Sequence, residues 1–246
     1  MALQSKLIRS KLSKLSALGL SFILLVSCGG EKNITHHSVV VVDITASDPA
    51  LIPTSSAIID MLKKRDRDPS EGITVSFALL DDLSGSAFME ESVKPASGNS
   101  AMENPVKRKR EVEQFYNELE GKIASRLANT EVDRKKSKIY IKLCKSLQRL
   151  IESKANIKEI LIYSDLLENS ELASFYREAQ LQAAANNPEK FYNDHFSKSS
   201  CALPELNGIN VHFYVMRTGK TDIAVQKAEK FWVELFRARG AKIFVN

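Results

Sequence analysis

Four valines in succession, residues 39–42, lie between Ser38 and Asp43, and so short a β-branched run bounded by polar residues predicts a strand covered on both faces. The same reasoning makes strands of residues 73–80, 160–163, 210–216 and 242–245. Between them apolar positions recur at threes and fours. Residues 57–64 form one such helical pattern, and Val112, Phe115, Tyr116, Leu119, Ile123 and Leu127 line a long charged one. A third begins near Ser137 and carries Ile141, Leu143, Leu147, Leu150 and Ile151, and two more cover residues 171–186 and 221–239.

Punctuation supports this alternation. Residues 81–86 form a turn that returns through 87–89 as an antiparallel edge strand. The stretch 93–104 is rich in Ser, Pro, Gly and Asn and reads as a loop, and 131–136 as a charged connection. Asn187 and Pro188 end a helix, residues 189–208 lack periodicity, and Gly240 closes the last helix. Strands alternating with helices predict one α/β domain over residues 38–246, a size that a single core fills. Trp232 and Phe236, four residues apart, are expected to cover the sheet. There is no internal repeat.

The amino terminus has its own grammar. Lys6, Arg9, Lys11 and Lys14 form a basic region without an acid, followed by an apolar run over 18–26 that is short for a membrane span. Residues 1–27 therefore read as a signal peptide. It ends in Leu25, Val26, Ser27 and Cys28, which resembles a bacterial lipobox, and the resemblance implies acylation of Cys28 and a lipidated tether over 28–37. Gly29 after that cysteine favours the outer membrane of a Gram-negative cell, with the domain facing the periplasm or the cell surface.

Removing the leader changes the charge picture. The chain carries 35 basic and 30 acidic residues, and four of the basic ones are in the leader, so the mature chain is nearly neutral. This gives no support for nucleic-acid binding. Lys107, Arg108, Lys109 and Arg110 remain a dense basic run, but Glu103, Glu111 and Glu113 flank it, and it reads as a solvated helix start. Cys144 falls in a helical pattern and is expected to be a free core thiol, with pairing to Cys201 the less favoured alternative. His36 and His37 are expected in the tether and His195 and His212 are isolated, so no zinc site is predicted.

Chemistry gathers at strand ends. The valine run leads into Asp43, Thr45 and Ser47, a carboxylate and two hydroxyls, and the later strand runs into Ser164 and Asp165. Ser137 offers a further hydroxyl at a helix start, with Thr130 as its rival. In parallel sheets ligands bind beyond the carboxyl ends of strands, and such oxygens suit a hard divalent cation.

These residues resemble the von Willebrand factor type A family, whose metal-ion-dependent adhesion site joins an Asp-x-Ser-x-Ser loop, a Thr before a helix and an Asp after a later strand. Asp43, Thr45, Ser47 and Asp165 match; Thr45 stands where Ser is usual, and Ser137 where Thr is usual. The resemblance covers residues 38–246 in the order of elements. It implies a doubly wound, Rossmann-like, mostly parallel sheet with one antiparallel edge strand. It also implies magnesium, or manganese or calcium in its place, held by Asp43, Thr45, Ser47, Ser137 and Asp165. A protein partner would supply an acidic side chain to an open coordination position.

Two other readings are weighed. A metal-independent envelope scaffold needs only the fold. A phosphotransferase of the haloacid-dehalogenase type needs Asp-x-Asp-x-Thr, and Thr45 removes its second carboxylate. No catalytic residues are expected.

Overall fold

The structure, a computed structural model, describes residues 34–45, 49–65, 67–80, 88–96, 104–129, 136–217 and 222–246. Strands β1 (Thr35–Asp43), β2 (Gly72–Leu80), β3 (Met89–Val93), β4 (Ile157–Ser164), β5 (Ile209–Val215) and β6 (Lys242–Val245) form one sheet in the order β3-β2-β1-β4-β5-β6. All neighbours are parallel except β2 and β3, so an antiparallel edge strand is present as expected, but over Met89–Val93 rather than 87–89. Chain order reverses between β1 and β4, and it is at such a reversal that an open α/β sheet leaves a crevice beyond its carboxyl ends.

Helices α1 (Ser55–Lys63) and α2 (Pro105–Ala128) cover one face. Helices α3 (Ile139–Glu152), α4 (Glu178–Asn186), α5 (Pro188–His195) and α6 (Ile223–Ala238) pack on the other. The valine run shows why both layers are needed. Val40 and Val42 enter the core beneath α1 and α2, while Val39 and Val41 enter the larger core with Trp232, Phe231 and Phe236 of α6. Successive side chains of a strand point to opposite faces, so a central strand with apolar residues at every position must be buried twice.

Three local expectations change. β1 begins at Thr35, so His36 and His37 are strand residues, buried and bonded to Glu71 at 2.6 Å and Ser76 at 2.9 Å. The helix expected from residue 171 begins at Glu178, because 168–177 folds into a turn in which Phe175 N–H donates to the Glu168 carbonyl at 2.8 Å. Helix α5 falls in a stretch without visible periodicity: Pro188 occupies its first turn and the Asn187 side chain accepts from Lys190 N–H. Two buried residues, Phe191 and Tyr192, are too few to print a helical period.

Cys144 is not a free thiol. It forms a disulfide with Cys201, with Cα atoms 6.1 Å apart, and so ties α3 to the loop before β5 across 57 positions of sequence. The Tyr140 hydroxyl donates to the Cys201 carbonyl at 2.6 Å and its ring stacks on Phe196, so the same loop is held twice. Cross-linking a loop of this length restricts the unfolded chain by about 4 kcal/mol at most. Reduction, or Cys144→Ala with Cys201→Ala, is expected to lower Tm markedly with far-ultraviolet dichroism preserved below the transition; an unchanged Tm in reductant would remove the cross-link's role.

Candidate functional site

Asp43 is the last residue of β1, and its carboxylate is wholly buried, at 0% exposure. Its oxygens are held from both sides. Ser164 Oγ, at the end of β4, donates to Oδ2 at 2.6 Å, while Thr45 donates to Oδ1 through its backbone N–H at 2.9 Å and its hydroxyl at 2.6 Å. Burial pushes the Asp43 carboxyl above the ordinary carboxylate range, and the Ser164 and Thr45 donors pull it partly back.

Ser137 lies on the approach to α3, where its N–H and carbonyl pair with Asn169 at 3.0 and 2.9 Å. It is not a helix cap; Lys138 takes that position without a side-chain bond. The Ser137 hydroxyl is buried and close enough to the Asp43 carboxylate to act on it as a hydrogen-bond donor, lowering its proton affinity. Among the described residues, however, Ser137 Oγ completes no hydrogen bond of good geometry. A buried hydroxyl whose one contact is poorly aligned keeps capacity for a further ligand.

Asp165 follows β4 directly, and its Oδ1 accepts Leu167 N–H at 2.9 Å. Burial, then the neighbouring charge of Asp43 and that of Asp222, raise its carboxyl to about 7. Leu166, between them, is buried with a φ of 64°, a left-handed conformation that is costly for a leucine. It is held there by Leu166 N–H donating to Ser164 Oγ at 2.9 Å and by the Trp232 indole donating to the Leu166 carbonyl at 3.0 Å.

The structure thus brings Asp43, Thr45, Ser137 and Asp165 to one place. Ser47, Thr130 and the lipidation candidate Cys28 lie outside the described residues. No group of three or more His, Cys, Asp or Glu suited to a metal occurs among the described residues. The oxygens that converge here are of another kind, two carboxylates with hydroxyls. The donor set fits a divalent cation on two observations: the buried Ser137 Oγ makes no hydrogen bond of good geometry, and the charge of Asp43 disfavours ionisation of Asp165, an effect that a cation beside them reverses. Beside Asp165, Leu51, Phe175, Tyr176, Met216, Asp222 and other residues line a cavity of about 380 Å³.

Glu168 was not expected here. It is fully buried in the turn after β4; its Oε2 accepts Tyr140 N–H at 2.7 Å, and its Oε1 has no partner of good geometry among the described residues. It joins the start of α3 to the β4 loop, the two segments that carry Ser137 and Asp165. In sequence Glu168, Asn169 and Ser170 read only as a polar turn after the strand.

Compared with known proteins, the sequence matches no family model and no curated protein.

Burial raises the Glu168 carboxyl from 4.5 to about 8. The folded state therefore binds this proton more tightly than the unfolded chain, so the stability linked to it is complete below about pH 4.5 and is lost as pH rises through about 8. Glu168→Gln is expected to remove this slope and to gain roughly a few kcal/mol relative to wild type at alkaline pH. Urea denaturation of both proteins across that range measures it, and parallel pH profiles would refute it.

Proposed function

We propose that this chain is a lipid-anchored envelope protein whose domain binds a protein partner through a divalent cation at the carboxyl ends of β1 and β4. Asp43 and Asp165 would anchor the ion, directly or through water, and Thr45, Ser47 and Ser137 would complete its oxygen shell. The observation that carries the reading is the buried Ser137 hydroxyl, without a hydrogen bond of good geometry, beside Asp43 and its neighbouring acid Asp165 at the reversal point of the sheet. When bound, magnesium supplies near-octahedral coordination with a position open to an external oxygen ligand. Neutral hydroxyl donors leave the ion residual positive charge, which favours a partner's Asp or Glu.

Export is supported by two independent features. The leader ends in a lipobox-like sequence, and the Cys144–Cys201 disulfide suits an oxidising compartment. Among the described residues no helix is long and apolar enough to cross a membrane. We assign no catalysis, because Thr45, where a dehalogenase-type enzyme needs its second acid, is a hydrogen-bond donor to Asp43.

One observation favours the metal-independent scaffold instead: both Asp43 oxygens already accept bonds within the fold. Calorimetric titration of magnesium and manganese into the chain lacking residues 1–28 separates the readings. The expected result is binding by wild type, roughly tenfold or greater weakening by Ser137→Ala, and loss in Asp43→Ala with the fold retained by circular dichroism. A folded wild type that gives no binding heat favours the scaffold, and wild-type affinity in Asp43→Ala sinks the metal assignment.

A further inference from the structure

The basic run at residues 107–110 has no part in that site, and its place in the fold points elsewhere. It opens α2, at the end of the domain where β1 begins. Arg108 fixes this placement: Nε donates to the Pro69 carbonyl at 2.6 Å, and one terminal nitrogen donates to the Glu71 and Lys94 carbonyls at 3.0 and 2.7 Å. The next residue, Gly72, donates its N–H to the Ile34 carbonyl at 2.9 Å, immediately before β1.

Arg108 is accounted for by the fold; Lys107, Lys109 and Arg110 are not. All three are exposed, and Lys107 has only a 3.9 Å approach to Glu111. The first turn of α2 holds no acidic residue, so Lys107 sits where the helix dipole disfavours a cation. Local stability does not explain them. Val106, exposed at 58%, and Ile34, at 41%, add apolar surface at this same end, and Lys94 is exposed beside them. The acids nearby are Asp68, whose carboxylate accepts Ser70 N–H, Glu71, which is bonded to His36, Glu111, which faces Lys107 and Arg108, and the exposed Glu113 one turn on.

We infer that this end of the domain rests on an anionic phospholipid surface, with Lys107, Lys109 and Arg110 on the headgroups and Val106 at the interface. The inference rests on acylation of Cys28. Six residues, 29–34, separate that cysteine from β1, so the base of the domain stays within at most about 25 Å of the bilayer. A lipid surface attracts basic residues only within about a Debye length, and a tether this short supplies the proximity. The occupant is therefore the membrane of the protein's own anchor.

The test uses the acylated full chain in vesicles of phosphatidylcholine, with and without phosphatidylglycerol. An environment-sensitive label at Val106→Cys is read by quenching from headgroup-labelled lipid, with a label at Tyr176→Cys, beside the Asp165 cavity, as the distal control. Expected are quenching at 106 but not at 176, dependence on phosphatidylglycerol, and a fall in the docked-to-free ratio of about fivefold for each cation removed in Lys109→Gln and Arg110→Gln. An anchored chain unquenched at 106, or equally quenched without phosphatidylglycerol, overturns the inference alone. A chain that never stays with the vesicles overturns the anchor and the inference together.

Discussion

The buried carboxylate of Asp43 is the constraint around which the other parts of the site are arranged. A charge taken wholly out of water is tolerated only with donors on both oxygens. Here the donors come from the residue after next, Thr45, and from the neighbouring strand, Ser164. The second bond matters more, because it locks the tips of β1 and β4 together at the one place where helices leave the sheet in opposite directions. Ser164 then accepts from Leu166 N–H, so the same hydroxyl that holds Asp43 also bends the chain into the left-handed turn placing Asp165 beside it. Two carboxylates are brought together at a cost in burial, repulsion and backbone strain. A fold keeps such costs where something is gained from them.

Much of this was legible in the sequence, and each success has a physical cause. The unbroken valine run specified a central, doubly covered strand, and the chain after it could only be a tip. Asp43 and Asp165 were readable because a charged residue directly after a buried strand marks the edge of the core. Ser137, expected at the helix start, lies just before it, with its backbone engaged by Asn169 and its hydroxyl buried. Glu168 was passed over because sequence gives a polar turn no depth. Its burial comes from the fold, where its carboxylate accepts Tyr140 N–H of α3 from 28 positions away. The disulfide was underestimated for the same reason: a cysteine at a core position of a helix looks identical whether it faces an aliphatic neighbour or another sulfur.

The opposite end of the sheet is organised by different electrostatics. Glu159 is buried, yet Arg67 at 2.5 Å, Ser38 at 2.7 Å, Arg65 and His212 surround it. Although burial pushes its carboxyl up, these partners hold it below the ordinary range. His212 moves the other way: burial and then Arg65 lower it to about 4, so it stays neutral and stacks on Phe244. One end of the sheet thus neutralises its buried acid with guanidinium groups from the α1–β2 connection. The other leaves its acids with hydroxyls and each other.

That contrast bears on which end is a structural base and which faces a ligand. A buried acid matched by its own protein's cations is complete, and replacing a satisfied ion pair by apolar residues often costs little, so it marks specificity of packing rather than a site. A buried acid pair matched only by neutral donors is incomplete, because its repulsion is relieved by a proton or by a cation from outside. The proton is an incomplete answer here, since the Asp165 carboxyl, raised to about 7, is about half ionised at pH 7 and more so above it. In the parallel sheet every strand between the edges runs from the matched end to the unmatched one. The incomplete site therefore lies about 30 Å of strand from the start of β1. The polarity of the sheet, more than any single residue, sets the acid pair at the end of the sheet opposite the start of β1.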